Sequence, residues 1–227
     1  MMTHSMIEQL FSFAQTVVFK RAGKKFPTNS LKGIMDIGFV VFEKVGCKFD
    51  IISSLYLKFY QGIVAKELAM AHVHPSDHVL VIGSGSLPAT PALLSMNTKA
   101  AIVSIDRDRI AVKQATKYVK AHHLGRTLSI DHADGLHYPV ERFDVIFVLY
   151  GVKQPELILQ YLGEHCHDAT RIILRTITDS QGMITDKKIN LTHHFLIRDK
   201  IQTDTLGSMT SFLLQKKPTP PHHTLII

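Results

Sequence analysis

The sequence has no tryptophan and only two cysteines, Cys47 and Cys166. These cysteines show no CxxC spacing, so neither a disulfide framework nor a cysteine-based metal site is indicated, and a reduced, cytoplasmic location is expected. Glycine and proline are also scarce, with 13 and 9 residues respectively, which excludes collagen-like and low-complexity classes. The chain is therefore expected to fold around a hydrophobic core.

Long apolar runs are absent as well. The most apolar stretch, residues 33–45, contains Asp36 and Glu43 and is shorter than the roughly 20 residues that cross a bilayer. Glu8 interrupts the apolar N-terminal segment, and no signal-peptide cleavage site follows. We therefore expect no membrane span and no signal peptide. The apolar face over residues 34–42 favours core packing or a homodimer contact over a lipid-facing surface.

Acidic residues are fewer than basic ones, which gives the chain a formal net charge of +7. Clustered cations would indicate a nucleic-acid partner, but the only dense basic run is at residues 20–25. A generally basic surface is favoured, and no nucleic-acid partner is expected. The 14 histidines lack HExxH and CxxC…HxxxH spacings, so no metal site is predicted.

Hydrophobic periodicity predicts three helices at the front of the chain, over residues 4–22, 30–45 and 51–73. Composition changes at residues 74–77, and short β-branched runs then alternate with amphipathic segments. We accordingly expect a helical part over residues 1–73 that covers the acceptor side, a sheet domain over 74–217 and a loose tail over 218–227.

The alternating pattern is typical of a mostly parallel sheet covered by helices. The strands are predicted at residues 78–82, 101–105, 127–131, 145–149 and 171–175, followed by 194–198 and 208–215. Because no long helix separates the last two, they are expected to form a closing β-hairpin on one sheet edge. The fold class is therefore α/β, with a Rossmann-like sheet and an N-terminal helical part.

A glycine turn at the end of the first predicted strand is the strongest functional signal. Gly83 permits a sharp turn, and Gly85 allows the backbone to approach a ligand where a Cβ would collide. Position 88, where a GxGxxG motif would have its third glycine, is Pro88. The turn alone is therefore weak evidence for a nucleotide site.

Polar residues at the ends of the next strands strengthen this signal. Asp106 ends the second strand about 20 residues beyond Gly85, where an acid accepts hydrogen bonds from ribose hydroxyls. Asp134 follows the third strand and Tyr150 the fourth. Since carboxyl ends of parallel strands meet at one edge, these residues are expected to converge on a single crevice.

This ordered set resembles the class I S-adenosylmethionine-dependent transferases. The resemblance implies S-adenosylmethionine as the cofactor. Its methionine part would lie on the turn formed by Gly83, Ser84 and Gly85, its ribose at Asp106, and its adenine at Asp134, with Tyr150 also lining the site. A dehydrogenase using a nicotinamide cofactor would be expected to show the third glycine and a second half-fold.

The segment over residues 83–95, GSGSLPATPALLS, more closely resembles nicotianamine synthases and related opine-metallophore enzymes, and the similarity continues in residues 170–178. Ser86 stands where that family would be expected to have proline. The resemblance implies transfer of the 3-amino-3-carboxypropyl group to an amine of a small acceptor, with release of methylthioadenosine. Methyl transfer, which releases S-adenosylhomocysteine, is the alternative, and a nucleic-acid-binding module without catalysis is a third.

The same resemblance implies a tyrosine and a glutamate on the acceptor side. Tyr56, Tyr60 and Glu67 share one face of the third predicted helix, so Tyr60 and Glu67 are catalytic candidates and Tyr56 a substrate contact. The alternative is that the tyrosines pack with Phe59 and that Glu67 faces solvent or pairs with Lys66.

Two further groups of residues lie at the ends of predicted strands. Tyr150 is expected to line the acceptor pocket and is the third catalytic candidate. Arg175 and Thr176 are expected to bind a carboxylate of the acceptor or of the cofactor, for which arginine offers a bidentate fork.

Overall fold

A computed structural model describes residues 50–203 and 209–218 of the chain. The predicted helices over residues 4–22 and 30–45, the apolar face over 34–42, and all of the predicted tail except its first residue lie outside these ranges. The described elements are α1 (Asp50–Met70), β1 (His78–Ile82), α2 (Ala89–Asn97), β2 (Ala101–Asp106), α3 (Arg109–Ala121), β3 (Leu128–His132), β4 (Val145–Val148), α4 (Pro155–His165), β5 (Arg171–Ile177), β6 (Phe195–Thr203) and β7 (Met209–Lys216).

The strands form one seven-stranded sheet in the order β3-β2-β1-β4-β5-β7-β6. The first five are parallel, and β7 runs antiparallel to both β5 and β6. The predicted Rossmann-like, mostly parallel sheet with a closing hairpin is therefore confirmed. The order reverses between β1 and β4, and such a switch point opens a ligand crevice at the carboxyl edge.

The largest difference from the predicted elements is in β6, which extends to Thr203 rather than residue 198. Its middle contains the charged residues Arg198, Asp199 and Lys200, which interrupt the apolar run from which the strand was predicted. A bulge lies between Ile197 and Asp199, and pairing with β7 continues beyond it. Backbone pairing with β7 thus sets the length of β6.

The helix α1 ends at Met70 instead of residue 73. His72 adopts a positive φ of 46°, a left-handed conformation that ends a helix. The helix packs against α2, and Ile63 and Val64 on it are buried. The proposed domain boundary after residue 73 stays a prediction. Residues of α1 and of the sheet belong to one hydrophobic cluster.

Two hydrophobic clusters cover the two faces of the sheet. Val79 and Val81 of β1 belong to the cluster that includes α1 and α2, whereas Leu80 and Ile82 belong to the cluster that includes α4. A strand buried on both faces requires a continuous apolar run, and β1 has one in residues 79–82. No helix within residues 50–203 and 209–218 is long and apolar enough to cross a membrane.

Candidate active site

The glycine turn after β1 is fixed by its backbone geometry. Gly83 and Gly85 have φ values of 95° and 63°, which favour glycine. The amides of Gly83 and Ser84 both donate to the carbonyl of Ile105, at 2.8 and 3.1 Å. A Cβ on Gly83 would lie 2.7 Å from Cγ2 of Val152. The turn is therefore bound to the end of β2 and leaves no space for a side chain at its first position.

The carboxylate of Asp106 lies directly against this turn. One of its oxygens accepts a hydrogen bond from the Gly85 amide at 2.9 Å, and the other accepts one from the Asp108 amide, also at 2.9 Å. Asp108 in turn caps α3 by accepting from the Ile110 amide. Asp106 thus links the glycine turn to the start of α3 at the carboxyl edge of the sheet.

Asp134 lies in the connection after β3. Its carboxylate accepts a hydrogen bond from the Leu136 amide at 3.0 Å, which fixes the side chain locally. Next to it, Gly135 approaches Ile82 so closely that a Cβ would lie 2.9 Å from Cγ2 of Ile82. This close contact holds the Asp134 loop against the end of β1.

A cavity of about 990 Å³ opens at this edge of the sheet, at the upper end of the range of roughly 300–1,000 Å³ for small-molecule sites. The residues expected to bind cofactor share its wall, with the exception of Ser84. Its lining includes Gly83, Gly85, Asp106, Asp134 and Tyr150, with Tyr60, Arg175 and Thr176. Because the cavity combines a side-chain-free turn, two carboxylates and apolar walls, the residues present fit an adenosyl sulfonium ligand.

Ser84, Tyr56 and Glu67 do not line the cavity. Ser84 is buried, and its amide bonds to β2. Tyr56 is buried against Tyr60: their ring centroids lie 4.9 Å apart, and the Tyr56 hydroxyl donates to that of Tyr60 at 3.5 Å. The direct substrate contact expected of Tyr56 has no counterpart in the cavity lining, which Tyr60 joins and Tyr56 does not.

Glu67 is completely buried. Oε1 accepts from Arg175 Nε at 2.9 Å and from the Ser211 hydroxyl at 2.5 Å, and Oε2 accepts from Arg175 Nη2 at 2.5 Å. The expectation that Glu67 faces solvent or pairs with Lys66 is wrong. The carboxylate is directed toward β5, and its oxygens are occupied by protein donors, so it does not have the access that a group acting on an acceptor needs.

Arg175 lines the cavity but is only 3% exposed. Its fork holds the Glu67 carboxylate, and Nη1 donates to the Thr90 hydroxyl at 3.0 Å. Burial disfavours the charged guanidinium, but Glu67 outweighs this desolvation and the pKa of Arg175 is raised. The fork that was expected to bind an acceptor or cofactor carboxylate is occupied by Glu67 instead. Thr176 is a buried residue of the cavity wall.

Several cavity residues were not among the sequence-based candidates. Arg107 and Asp108 follow Asp106 directly, and residues 151–156 follow Tyr150, so their positions next to predicted site residues were an available signal. Asp186, Lys188 and Ile189 come from the connection between β5 and β6. No motif in that connection indicated a site, and only the tertiary fold brings it over the cavity.

This chain is similar to a known protein family and to a named relative. Residues 52–188 match the family model of protein-L-isoaspartate(D-aspartate) O-methyltransferase (PCMT). The chain is 26% identical over 121 residues to an L-histidine 2-aminobutanoyltransferase of Yersinia pestis. That match covers 53% of this chain and 45% of the relative, so it spans about half the relative's length.

The solved structures similar to this one share its fold at low sequence identity. A mutant of MtNAS, a nicotianamine synthase, in complex with S-adenosylmethionine has a TM-score of 0.73 at 18% identity, with 96% of this chain and 93% of that chain covered. MtNAS in complex with MTA and tNA has a TM-score of 0.74 at 18% identity and coverages of 96% and 90%. An RNA methyltransferase from Salinibacter ruber, in complex with S-adenosyl-L-homocysteine, has a TM-score of 0.55 at 15% identity and coverages of 70% and 94%.

Proposed function

The chain belongs to the PCMT family and to the class I S-adenosylmethionine-dependent transferases. From this premise we propose that it transfers the 3-amino-3-carboxypropyl group to an amine of a small amino-acid acceptor. Its nature as a transferase and its use of S-adenosylmethionine, both expected from the sequence, are confirmed. The group transferred and the acceptor are the proposed part.

The observation that supports an acceptor site is the extent of the cavity. Its lining includes the glycine turn and Asp106, and also Tyr60 on α1 and Thr176 on β5. The volume of about 990 Å³ leaves space for an acceptor next to the cofactor.

The similar proteins support the choice of group. The Yersinia pestis relative is named as an L-histidine 2-aminobutanoyltransferase. The MtNAS structures match this chain over 96% of its length. For the family itself the model is that of an O-methyltransferase. Methyl transfer to a small molecule or a protein is therefore the second candidate.

In this proposal the cofactor-binding roles belong to Gly83, Gly85, Asp106 and Asp134. The glycine turn exposes backbone close to the methionine part, Asp106 accepts hydrogen bonds from the ribose hydroxyls, and Asp134 accepts one from the adenine amine. Ser84 has no cofactor contact in this proposal, because it does not line the cavity and its amide donates to the carbonyl of Ile105.

When bound, S-adenosylmethionine supplies a sulfonium leaving group that activates the carbons attached to it. The protein then has to hold the acceptor amine in line with one carbon–sulfur bond and keep its nitrogen unprotonated. We assign the first task to Tyr60 and Tyr150, whose side chains line the cavity from α1 and from the end of β4. Their hydroxyls can accept a hydrogen bond from an amine and so orient its lone pair.

The test is an incubation with S-adenosylmethionine labelled either in its carboxyl group or in its methyl group, against a panel of amino acids that includes histidine. We expect label in the product only from the carboxyl-labelled donor, together with methylthioadenosine. Label from the methyl group with S-adenosylhomocysteine, or no product with any amine, would contradict the proposal. An Asp106→Ala variant purified in parallel controls for contaminating activity.

A further inference from the structure

We propose that Glu67 and Arg175 form a positioning pair, which fixes the Tyr60 side chain in the cavity wall and so sets the geometry of the acceptor side without touching the acceptor. The inference rests on the proposed function, because that function places an acceptor next to Tyr60. It replaces the catalytic role expected of Glu67 and the substrate contact expected of Arg175.

The pair is the centre of a buried network that joins four elements of the fold. Glu67 lies on α1 and Arg175 on β5, Ser211 on β7 donates to Glu67, and Thr90 on α2 accepts from Arg175. The side chains of the pair are 0% and 2% exposed. Each carboxylate oxygen has a donor, and each guanidinium nitrogen has an acceptor. Such saturation holds the two side chains in one geometry.

The network reaches the cavity through Tyr60. The guanidinium carbon of Arg175 lies 5.4 Å from the centroid of the Tyr60 ring, within the distance of a cation–π contact. Glu67 is on the same helix as Tyr60, two helical turns further on. The pair therefore holds Tyr60 from two sides: Arg175 contacts its ring, and Glu67 fixes the helix that carries it.

Stability alone does not account for a buried ion pair at this place. Removing two charges from water is costly, and apolar side chains of similar volume often stabilise a protein as well or better. A second arginine on the same face of β5, Arg171, already attaches α1 to the sheet. It donates to the carbonyls of Ala71 and His72 at 2.8 and 2.6 Å and pairs with Asp77 at 2.9 Å.

Arg171 begins β5, whereas Arg175 lies near its carboxyl end and lines the cavity. The two arginines thus perform the same kind of attachment at the two ends of the strand, and only one of them borders the site. Arg175 and Glu67 additionally hold the guanidinium in one orientation, because a bidentate pair has a fixed geometry. The guanidinium contacts the Tyr60 ring, so its orientation also fixes the position of Tyr60.

The experiment is a double-mutant cycle with Glu67→Gln, Arg175→Met and the two combined. Each single variant leaves one buried group of the pair without its partner, and both variants are expected to lose stability. The double variant removes both charges and is expected to regain most of that stability. For each protein, kcat, the acceptor KM, the cofactor Kd and the denaturation midpoint are measured.

We expect Glu67→Gln and the double variant to lose about 100-fold in kcat/KM for the acceptor, since a displacement of about 1 Å in a reacting geometry has that effect. The cofactor Kd should change less than about threefold, because neither residue contacts the glycine turn, Asp106 or Asp134. A double variant that regains turnover along with stability would show that the pair is only structural and overturn the proposal. Arg171→Met is the matched control and should lose stability with the acceptor KM unchanged.

A second readout does not depend on turnover. The chain has six tyrosines, so fluorotyrosine labelling gives a resolvable fluorine spectrum, in which Tyr60→Phe identifies the Tyr60 resonance. Glu67→Gln should shift this resonance and leave that of Tyr161, which bonds to the Tyr138 carbonyl at 2.9 Å, in place. An unchanged Tyr60 resonance would refute the positioning role.

This spectrum also separates the two proposals. If the wild-type protein transfers no aminocarboxypropyl group, the proposed function fails, and the spectrum still decides whether the pair positions Tyr60. If Glu67→Gln does not fold, Ser211→Ala removes a single hydrogen bond from the Glu67 carboxylate without changing its charge. The same shift of the Tyr60 resonance is then expected, at smaller amplitude, and its absence counts against the proposal.

Discussion

Asp106 has two structural partners besides its proposed ligand. Its oxygens accept hydrogen bonds from the amides of Gly85 and Asp108, so the carboxylate organises the turn that would also carry the methionine part of the cofactor. A substitution that removes the carboxylate is therefore expected to affect both the ribose contact and the geometry of the turn.

We predict that Asp106→Asn weakens S-adenosylmethionine binding by about 30-fold, or about 2 kcal/mol, because hydrogen bonds to a charged group contribute roughly this much. Asparagine keeps the size of the side chain, so the effect reports on charge and on acceptor capacity. Titration calorimetry measures the affinity. Asp131→Asn, an exposed carboxylate on β3 that does not line the cavity, is the control, and equal affinity in both variants would exclude the ribose contact.

The helix α1 is attached to β5 at two places, and of the two arginines involved Arg175 lines the cavity and Arg171 does not. It carries Tyr60, and it is attached to β5 by Arg171 at its carboxyl end and by Arg175 near the cavity. Arg171 donates to the carbonyls of Ala71 and His72, the two residues that directly follow the helix.

We predict that Arg171→Met lowers the free energy of unfolding by about 2 kcal/mol, because it removes two hydrogen bonds from a charged donor and the ion pair with Asp77. Urea denaturation followed by circular dichroism measures the change. Arg198→Met, which removes an exposed hydrogen bond to Gln215, should change the stability by less than about 0.5 kcal/mol. If Arg171→Met changed the free energy of unfolding as little as Arg198→Met, the position of α1 would not depend on this attachment.

The hydrophobic core on the α4 face of the sheet includes the thiol of Cys166, which is 3% exposed. Burial raises the pKa of this thiol to about 11, against which the nearby Lys216 ammonium has a smaller, lowering effect. Ionisation of Cys166 is therefore linked to unfolding of the domain, since only the unfolded chain exposes the thiol at its ordinary pKa of about 9.

The folded state keeps the thiol proton that the unfolded state releases above pH 9. The contribution of Cys166 to stability is consequently complete below pH 9 and is lost as the pH rises toward 11, by about 2 kcal/mol. Burial also raises the pKa of Tyr138 and Tyr161, with the same sign of effect. The thiol contribution is therefore measured as the difference in pH dependence between the protein and its Cys166→Ala variant, and parallel curves would contradict the linkage.

The residue pattern was sufficient to predict the order of the strands along the chain and several residues that line the cavity. A fully apolar run such as residues 79–82 can only be a buried strand or helix, and the glycines and acids after the strands lie within a few residues of the element that positions them. Gly83, Gly85, Asp106 and Asp134 therefore reached one cavity once the parallel order was known, as the carboxyl ends of parallel strands require.

The contacts of Glu67 and Arg175 could not be predicted in the same way. Glu67 and Arg175 are 108 residues apart, and Glu67 and Ser211 are 144 apart, so no local pattern could indicate that they bond. Helical spacing placed Tyr56, Tyr60 and Glu67 on one face, but it could not show which of them reaches the cavity and which is covered by β5 and β7. Residues 186–189 likewise join the site only because the chain between β5 and β6 crosses over it. Periodicity fixes the direction of a side chain relative to its own element, whereas the partner of that side chain depends on how elements distant in sequence pack together.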